Sequence, residues 1–399
     1  MPRDGLDPPA GVTRRSFLRL AAAAGAAGLL AACAQPASAP APTSAPAAQP
    51  TSAPAAAATT APAAQPTTAP QAGPGIPEKL KGRGEVVFVS WGGTYQDALR
   101  EAILKPFERD SGIKVIDLSP LDYGKIKAMV DANNVEWDVI DAEAEWAAGQ
   151  HQALLAKLDY SIIDTEGVPK EFIKDWGVGL ESYSDVIAYS TEAFSADNHP
   201  RSWAEFWDAQ KFPGPRSLYK SPAGTLELAV MADGVPKDQV YPLDVDRAFK
   251  SLERIKGEVK VWWTQGAQPA QLLTNKEVVL VAGWANRVNA AIAEGAKAAI
   301  EWNQHVIHTS LLSVVKGAPD QENAMKLIAY SLLPERQADF AKRITVGPAN
   351  QNAFKHLGPE EAKRLPTSPE LFKLGIAVNG EWWAENLAKV QERFNAFVL

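Results

Sequence analysis

The stretch that decides the fold is EVVFVSWGGTYQDALREAILKPFERDSGIKVIDL, residues 85–118. It begins with the continuous apolar run VVFV, which is typical of a strand buried on both faces of a parallel sheet. After a Gly-Gly pair, apolar side chains recur at helical spacing up to Gly112, a helix stop signal. A second apolar run, IKVIDL, follows. The stretch therefore predicts a strand, a helix and a second strand.

The same alternation of strand and helix patterns continues along the rest of the chain. Strand patterns recur at WDVIDA, DVIAYS, VKVWW, EVVLVAGW and TSLLSVV, and helical patterns separate most of them. Repeated strand-helix units favour an α/β fold with a largely parallel sheet. Residues 79–399 number about 320, which suffices for two ordinary domains.

The N-terminus contains TRRSFLRLAAAAGAAGLLAAC, residues 13–33, which has the features of an export signal. The apolar run from Leu20 to Ala32 is shorter than the about 20 strongly apolar residues that a bilayer span needs. TRRSFLR resembles a twin-arginine signal, and LAAC resembles a bacterial lipobox. These resemblances predict a signal peptide for twin-arginine export over residues 1–33, ending at a lipidated Cys33.

The segment after the signal, residues 34–78, consists almost entirely of Ala, Pro, Thr, Ser and Gln. Such a composition buries too little apolar surface to fold. We therefore expect a disordered tether between the lipid and the folded body. This arrangement predicts a periplasmic or cell-surface protein that is tethered to the membrane by its N-terminal lipid.

Charge and cysteine content exclude several classes of protein. The formal net charge is -7 at pH 7, and the sequence lacks the clustered lysine and arginine that nucleic-acid binding needs. Nucleic acid is therefore not an expected partner. The chain has one cysteine, so it cannot form an intrachain disulfide or a cysteine-based zinc site. We expect no metal and no cofactor.

The first candidate site lies where the first predicted strand ends. In open α/β sheets, ligands bind beyond the carboxyl ends of strands. Trp91 and Tyr95 flank the Gly-Gly pair there, and they would offer flat walls to an apolar body or a cation. A phosphate loop is a weaker interpretation, because neither glycine-rich phosphate motif is present. A tight turn with core aromatics is a further alternative.

The second candidate site follows the strand in WDVIDAEAEW, residues 137–146. Its loop carries Glu143 and Glu145 beside aromatic residues, a combination that suits an ammonium ligand. A calcium site is less well supported, because the EF-hand register is absent. A solvated acidic surface explains the pattern equally well.

A third group of candidates follows two later strands, which end in Trp263 and Trp284. Arg287 comes next in VAGWANR, where it would clamp a carboxylate or phosphate, or extend along the surface of a helix. The only other chemical pattern is the pair His305 and His308, spaced three apart. No sequence motif of a hydrolase is present, so we do not expect an enzyme.

Six motifs, in order along nearly all of residues 80–399, resemble the periplasmic polyamine-binding proteins of ABC importers, an extracellular solute-binding family. They are VVFVSWGGTYQDALREAILKPFERDSGIKV, WDVIDAEAEW, PRSWAEFW, NKEVVLVAGWANR, NAMKLIAYSLLPERQADFAKRITVGPAN and NGEWW.

The resemblance implies a two-lobed periplasmic-binding-protein fold, in which α/β lobes joined by crossing strands close on a solute by a hinge motion. The expected lobes are residues 79–185 plus 285–335 and residues 186–284 plus 336–399. In that family, aromatic residues sandwich the solute and carboxylates hold its ammonium groups. The matching positions here are Trp91, Tyr95, Glu143, Glu145, Trp284 and, in GPAN, Asn350.

The resemblance predicts a monomeric receptor that delivers an amine-bearing solute, such as putrescine or spermidine, to an ABC permease. The chain departs from the family pattern at Ser221 and Gly224, where polyamine binders place paired acids. An alternative is therefore a receptor for an opine, an amino-acid derivative or another carboxylate-bearing solute, which Arg287 would hold. A second alternative is a secreted hydrolase that uses Asp141, Glu143 or Glu145 as acid and base.

Overall fold

Eleven strands form one mixed sheet in the computed structural model, which describes residues 75–399. Eight of them form the path β2-β1-β3-β9-β5-β8-β6-β7, and three short strands pair at its side. The strands are β1 Glu85–Val89, β2 Lys114–Leu118, β3 Val139–Glu143, β4 Ile173–Lys174, β5 Gly177–Ser190, β6 Arg216–Tyr219, β7 Val259–Trp263, β8 Leu280–Trp284, β9 Ala298–Val314, β10 Gly347–Pro348 and β11 Ile376–Ala377.

Helices connect most of these strands. The α-helices are α1 Gly93–Leu99, α2 Lys105–Ser111, α3 Tyr123–Asp131, α4 Ala144–Ala147, α5 Trp203–Trp207, α6 Pro222–Ala232, α7 Val245–Ile255, α8 Gln268–Thr274, α9 Ala285–Ala293, α10 Gln321–Ser331, α11 Pro334–Ile344, α12 Pro359–Ala362, α13 Pro369–Phe372 and α14 Gly380–Phe397. A π-helical segment, Arg100–Leu104, joins α1 to α2. Short 3-10 helices are Glu78–Leu80, Gly149–Leu154, Lys170–Phe172, Lys237–Gln239, Lys256–Glu258 and Gln351–His356.

The order of the strands divides the sheet into two lobes. In lobe 1, β1 pairs in parallel with β2 and β3. In lobe 2, β6 pairs in parallel with β7 and β8. The long antiparallel strands β5 and β9 lie between the two sets and pair with each other along most of their length. The α/β fold with crossing strands is thus confirmed.

Each lobe has its own apolar core. Phe88 and Phe107 are buried in lobe 1, and Trp203 and Phe206 are buried in lobe 2. The packing differs from the predicted lobe boundaries at two helices. Val288 of α9 packs into a lobe-2 cluster, and Phe340 of α11 packs into the lobe-1 core. β9 pairs with the lobe-1 strand β3 over Ser310–Val314 and with β5 over Ala298–Leu312, so this strand passes from one lobe into the other.

The turn from β1 into α1 explains the Gly-Gly pair. Gly92 has φ 83°, and a Cβ there would lie 3.2 Å from the Ser119 hydroxyl oxygen. A side chain at this position would be strained, so glycine is needed to turn the chain. The helix predicted after the pair is confirmed. The helical pattern of RVNAAIAEGAKAAI, residues 287–300, predicts a helix over the whole stretch, but the helix ends at Ala293 and β9 begins at Ala298.

The predicted signal peptide, Cys33 and nearly all of the predicted tether lie outside the described residues. Within residues 75–399, no helix is long and apolar enough to cross a membrane.

Candidate functional site

Polar side chains form a row across the three central strands of the sheet. Glu143 of β3 is paired in register with Ser310 of β9, and Ser310 is paired with Glu181 of β5. Directly paired residues project from the same face of a sheet, and so do residues two apart on one strand. Asp141 therefore shares this face with Glu143. Three carboxyl groups are thereby gathered at the carboxyl end of β3, where the crossing strands pass.

Asp141 and Glu181 are buried at the centre of this row. Ser90 donates a hydrogen bond of 2.9 Å to one oxygen of Asp141, and Tyr95 donates one of 3.4 Å to Glu181. Burial raises the pKa of Asp141 to about 6, against the hydrogen bonds that its carboxylate accepts. Burial and the nearby Asp141 raise the pKa of Glu181 well above its ordinary value. Within the described residues, the hydrogen-bond partners of these two carboxyl groups are the neutral hydroxyls of Ser90 and Tyr95.

Glu143 lies at the side of lobe 1 that faces the aromatic residues. Burial, with a smaller contribution from the charge of Glu145, raises the pKa of Glu143 to about 7. Its backbone N–H donates a hydrogen bond of 3.2 Å to the hydroxyl of Tyr123. The ring of Tyr123 meets that of Trp91 edge-on, with centroids 6.0 Å apart. Trp91 therefore lies at the rim of the same site, with 37% of its surface exposed.

His308 connects the two lobes through a pair of carboxylates. Its Nδ1 lies 3.0 Å from an oxygen of Glu145, and its Nε2 lies 2.9 Å from an oxygen of Asp185. Its ring stacks on Tyr183, with centroids 4.8 Å apart and planes inclined by 6°. Burial alone would lower the pKa of His308, but Asp185 and Glu145 outweigh it and raise that pKa well above its ordinary value.

Lobe 2 contributes an aromatic wall. Trp284 meets Tyr183 and Tyr219 edge-on, with centroids 5.4 and 5.5 Å apart. Trp263 stacks on Tyr219 at 4.1 Å, is fully buried, and donates a hydrogen bond of 2.9 Å from its Nε1 to the Ala282 carbonyl. Trp263 therefore supports Tyr219 and Trp284 from behind instead of reaching the cleft.

Arg287 lies next to this wall. A Cβ at Gly266 would come within 2.5 Å of the Trp284 ring and 3.5 Å of the Arg287 Nε, so those two side chains are neighbours. Arg287 lines a groove of about 490 Å³ together with Tyr95 and Arg343, and this groove runs between the lobes. Arg287 forms no ion pair with any residue in the described part of the chain, whereas Arg343 pairs with Asp339 at 3.1 Å.

The structure thus brings most of the sequence-predicted residues together around the crossing strands. They are Trp91 at the rim, Tyr95, Glu143 and Glu145 in lobe 1, and Trp284 and Arg287 in lobe 2, with Trp263 behind them. Asn350 lies elsewhere: it is buried, donates from Nδ2 to the Leu332 carbonyl at 2.9 Å, and accepts from the Asn352 N–H at 2.9 Å. Its side chain anchors a loop.

The sequence patterns did not predict four central residues of the site. Glu181, Tyr183 and Asp185 alternate along β5, and the strand predicted at DVIAYS begins only at the last of them. The alternating sequence ESYSD was a usable signal, because every second residue of a strand shares a face. His308 was noticed only as one of a spaced pair.

Buried carboxylate oxygens without a partner indicate what this arrangement is able to bind. Within residues 75–399, one oxygen each of Asp141, Glu181 and Asp185 is buried and accepts no hydrogen bond. Such groups are costly unless a donor reaches them. No group of three or more metal-ligating side chains was found in the same range. With two lobes and aromatic walls, the site defines a receptor for a small solute.

Comparison with known proteins gives the family of this receptor. Residues 102–370 match the family described as bacterial extracellular solute-binding protein. The chain belongs to this family. It has the role of the substrate-binding component of an ABC transporter, which binds a small solute and delivers it to a permease. The family places it in the periplasm or outside the cell.

Individual relatives differ in the solute that their names record. The chain is 35% identical over 320 residues to a gamma-aminobutyric acid-binding protein of Pseudomonas aeruginosa, covering 77% of this chain and 89% of that protein. It is 23% identical over 296 residues to the spermidine/putrescine-binding periplasmic protein of Escherichia coli, covering 70% and 82%.

Solved structures give the same fold. The Atu4243-GABA receptor is 40% identical with a TM-score of 0.74, covering 79% of this chain and 98% of that one. The binding protein AgtB of A. tumefaciens R10, in complex with agropinic acid, is 34% identical with a TM-score of 0.66 and the same coverage. The two-lobed periplasmic-binding-protein fold predicted from the sequence is confirmed.

Proposed function

We propose that this receptor captures a small zwitterionic amino acid, which has a primary ammonium at one end and a carboxylate at the other. The observation that carries the proposal is that Tyr95 links buried acids to an arginine without an ion pair. Buried oxygens of Asp141 and Glu181 accept no hydrogen bond, and the exposed Arg287 forms no ion pair within the described residues. Tyr95 touches both, because it bonds to Glu181 and lines the groove of Arg287.

The acidic side supports an ammonium ligand. Asp141 and Glu181 each have a buried oxygen free, and burial raises the pKa of both carboxyl groups. An ammonium would supply donors and a positive charge, so it would favour the ionised form of both acids. A ligand without a cationic end would leave these groups unsatisfied.

The basic side supports a carboxylate on the same molecule. Arg287 presents a planar group of donors that matches a carboxylate in two-point geometry. A polyamine would place positive charge near this arginine at a cost. The relatives also favour the carboxylate-bearing alternative over the polyamine interpretation, because gamma-aminobutyric acid and agropinic acid carry carboxylates.

Calorimetric titration of the purified full-length protein tests the proposal. The solutes are γ-aminobutyrate, α-amino acids, an opine, putrescine and a sugar, with mass analysis of the mixture to detect any hydrolysis product. We expect a zwitterion to bind and the sugar to give no heat. Replacing Arg287 by Ala should weaken zwitterion binding about 30-fold, as for a hydrogen bond to a charged group.

Arg343→Ala is the matched control, because Arg343 lines the same groove but already pairs with Asp339. We expect its affinity to stay within about twofold of the wild type. Tight binding of putrescine with no binding of any zwitterion would refute the proposal, and a hydrolysis product would instead support the enzyme alternative.

We further propose that residues 1–33 direct export and that Cys33 bears the lipid anchor. The support is the order of the twin arginines, the short apolar run and LAAC. Metabolic labelling with a radioactive fatty acid should label the wild type and not Cys33→Ser. Replacement of Arg14 and Arg15 by Lys should stop export if the twin-arginine route is used, and unchanged export would refute that route.

A further inference from the structure

His308 is the positive group at the centre of the acidic cluster. Its two ring nitrogens lie 3.0 and 2.9 Å from oxygens of Glu145 and Asp185. A neutral imidazole donates from only one nitrogen, whereas an imidazolium donates from both. Two carboxylates, one at each nitrogen, therefore hold this ring as a cation. Within the part of the chain that the structure describes, His308 is the only basic side chain hydrogen-bonded to this cluster.

The surroundings of His308 keep this cation in place. The ring is buried and stacks face-to-face on Tyr183, which fixes its plane. Gly224 of α6 closes over the pair: a Cβ there would overlap the Asp185 carboxylate and lie 3.2 Å from the His308 Nε2. Gly224 has φ 84°, so a side chain there would be strained as well as crowded. The backbone of lobe 2 thus covers the bridge that His308 forms.

We propose that His308 is a specificity-determining residue that occupies the place of a second ammonium, so that the site accepts solutes with one ammonium and rejects diamines. The bridge engages two of the acids in the site, Glu145 and Asp185. Asp141 and Glu181, which take no part in the bridge, each keep a buried oxygen without a partner, and these oxygens remain for the solute. A second ammonium that entered the cluster would meet the imidazolium, and like charges at short range in a buried site repel strongly.

This inference rests on the proposed function in one respect only, because both place an ammonium at the acidic cluster. The test therefore uses ligands with and without a carboxylate. Butylamine and putrescine have the same four-carbon chain and differ in one ammonium, and γ-aminobutyrate adds the carboxylate. Each is titrated into the full-length wild type and into His308→Gln, which keeps a hydrogen-bonding side chain without the charge.

We expect the ratio of putrescine affinity to butylamine affinity to rise by at least roughly tenfold in His308→Gln, because the repelling charge is removed. The matched control is His199→Gln. His199 is also buried, stacks on Tyr189 at 4.3 Å and contacts Glu301 at 3.2 Å, but it lies in lobe 2 away from the acidic cluster. In His199→Gln the ratio of putrescine affinity to butylamine affinity should equal that of the wild type.

An unchanged ratio in a folded His308→Gln overturns the inference. If γ-aminobutyrate and other zwitterions fail to bind while the amine ratio shifts as expected, the proposed function fails and the role of His308 stands. If no ammonium compound binds the wild type, both fail. A second measurement does not depend on a variant: nitrogen-15 NMR of the wild type should show an imidazolium at pH 8, and a neutral ring there overturns the inference.

Discussion

The lobe-1 wall of the site is acidic and electrostatically incomplete, whereas the lobe-2 wall is aromatic and internally satisfied. In lobe 1, Asp141 and Glu181 are buried with free oxygens. In lobe 2, Trp263 is fully buried and its indole N–H already has a partner. The aromatic wall of lobe 2 is therefore preformed and stable without a ligand. The acidic wall of lobe 1 is destabilised by its unpaired carboxylates until a cation binds to them.

The largest expected effect is on the preformed wall. Trp263→Ala removes a fully buried ring that supports Tyr219 and Trp284. We expect the free energy of unfolding to fall by about 3 to 5 kcal/mol, as for other buried aromatic truncations. Urea unfolding followed by circular dichroism measures this. A loss below about 1 kcal/mol would show that the wall does not depend on Trp263.

The second effect is on the incomplete wall. Asp141→Asn removes a charge that the ammonium would neutralise, so we expect affinity to fall about 100-fold. The variant should be no less stable than the wild type at pH 8, because an ionised buried carboxylate is removed.

Asp138→Asn is the matched control for this variant. Asp138 is buried directly before β3 and accepts hydrogen bonds from the backbone N–H groups of Val87 and Asp320, at 2.8 and 2.9 Å. Its replacement should cost about 1.5 to 3 kcal/mol of stability and leave affinity unchanged. If both variants lose stability equally, Asp141 is a structural residue and the contrast between the walls is wrong.

The third effect is a pH dependence of opposite sign for stability and binding. The pKa values of Asp141 and Glu143 are about 6 and about 7 in the folded protein, above their ordinary values. Between about pH 4.5 and 7 the folded state therefore binds more protons than the unfolded state, and the free energy of unfolding falls as pH rises. We expect this decrease in the ligand-free protein, where no cation offsets the charge of the two carboxylates.

Ligand affinity should rise over the same window, because both acids become available to an ammonium. Thermal unfolding and titration at pH 5, 6, 7 and 8 measure the two trends. In Asp141→Asn both trends should be smaller. If the free energy of unfolding of the ligand-free protein increases from pH 5 to 8, ionisation of these two acids does not destabilise the folded protein.

The smallest expected effect is at the rim. Trp91 is partly exposed and touches Tyr123 edge-on. Trp91→Ala should weaken binding about fivefold and change stability by less than about 1 kcal/mol. Titration and urea unfolding of the same preparation measure both. If Trp91→Ala binds the ligand with wild-type affinity, Trp91 does not contribute to binding, and the aromatic contribution comes from lobe 2 alone.

Local patterns in the sequence predicted much of the fold. The strand, glycine pair and helix at residues 85–111 were predicted correctly, because burial and helical periodicity agree there. The first part of β9 was missed, because its residues AAIEWNQ, 298–304, are only partly buried and lack a clear alternation. A strand that passes from one lobe to the other changes its neighbours midway, so no single periodicity describes it.

The site was predictable only where it follows strand ends. Glu143 and Glu145 lie there, whereas Glu181 and Asp185 lie inside a strand, where sequence analysis expects apolar residues. The two histidines show the same limit. In a strand, residues three apart face opposite sides, so His308 meets Asp185 in the cleft. His305 bonds to Ser184 instead, and burial lowers its pKa to about 4.

The crossing strands have a consequence for protein engineering. Glu181, Tyr183 and Asp185 are on β5 and His308 is on β9, and both strands belong to both lobes. A chimera that takes lobe 1 from one receptor and lobe 2 from another must cut through these strands or inherit both from one parent. The contributions of Glu181 and His308 to ammonium recognition should then follow the parent that donated the strands, whereas that of Asp141 on β3 should follow the parent of lobe 1.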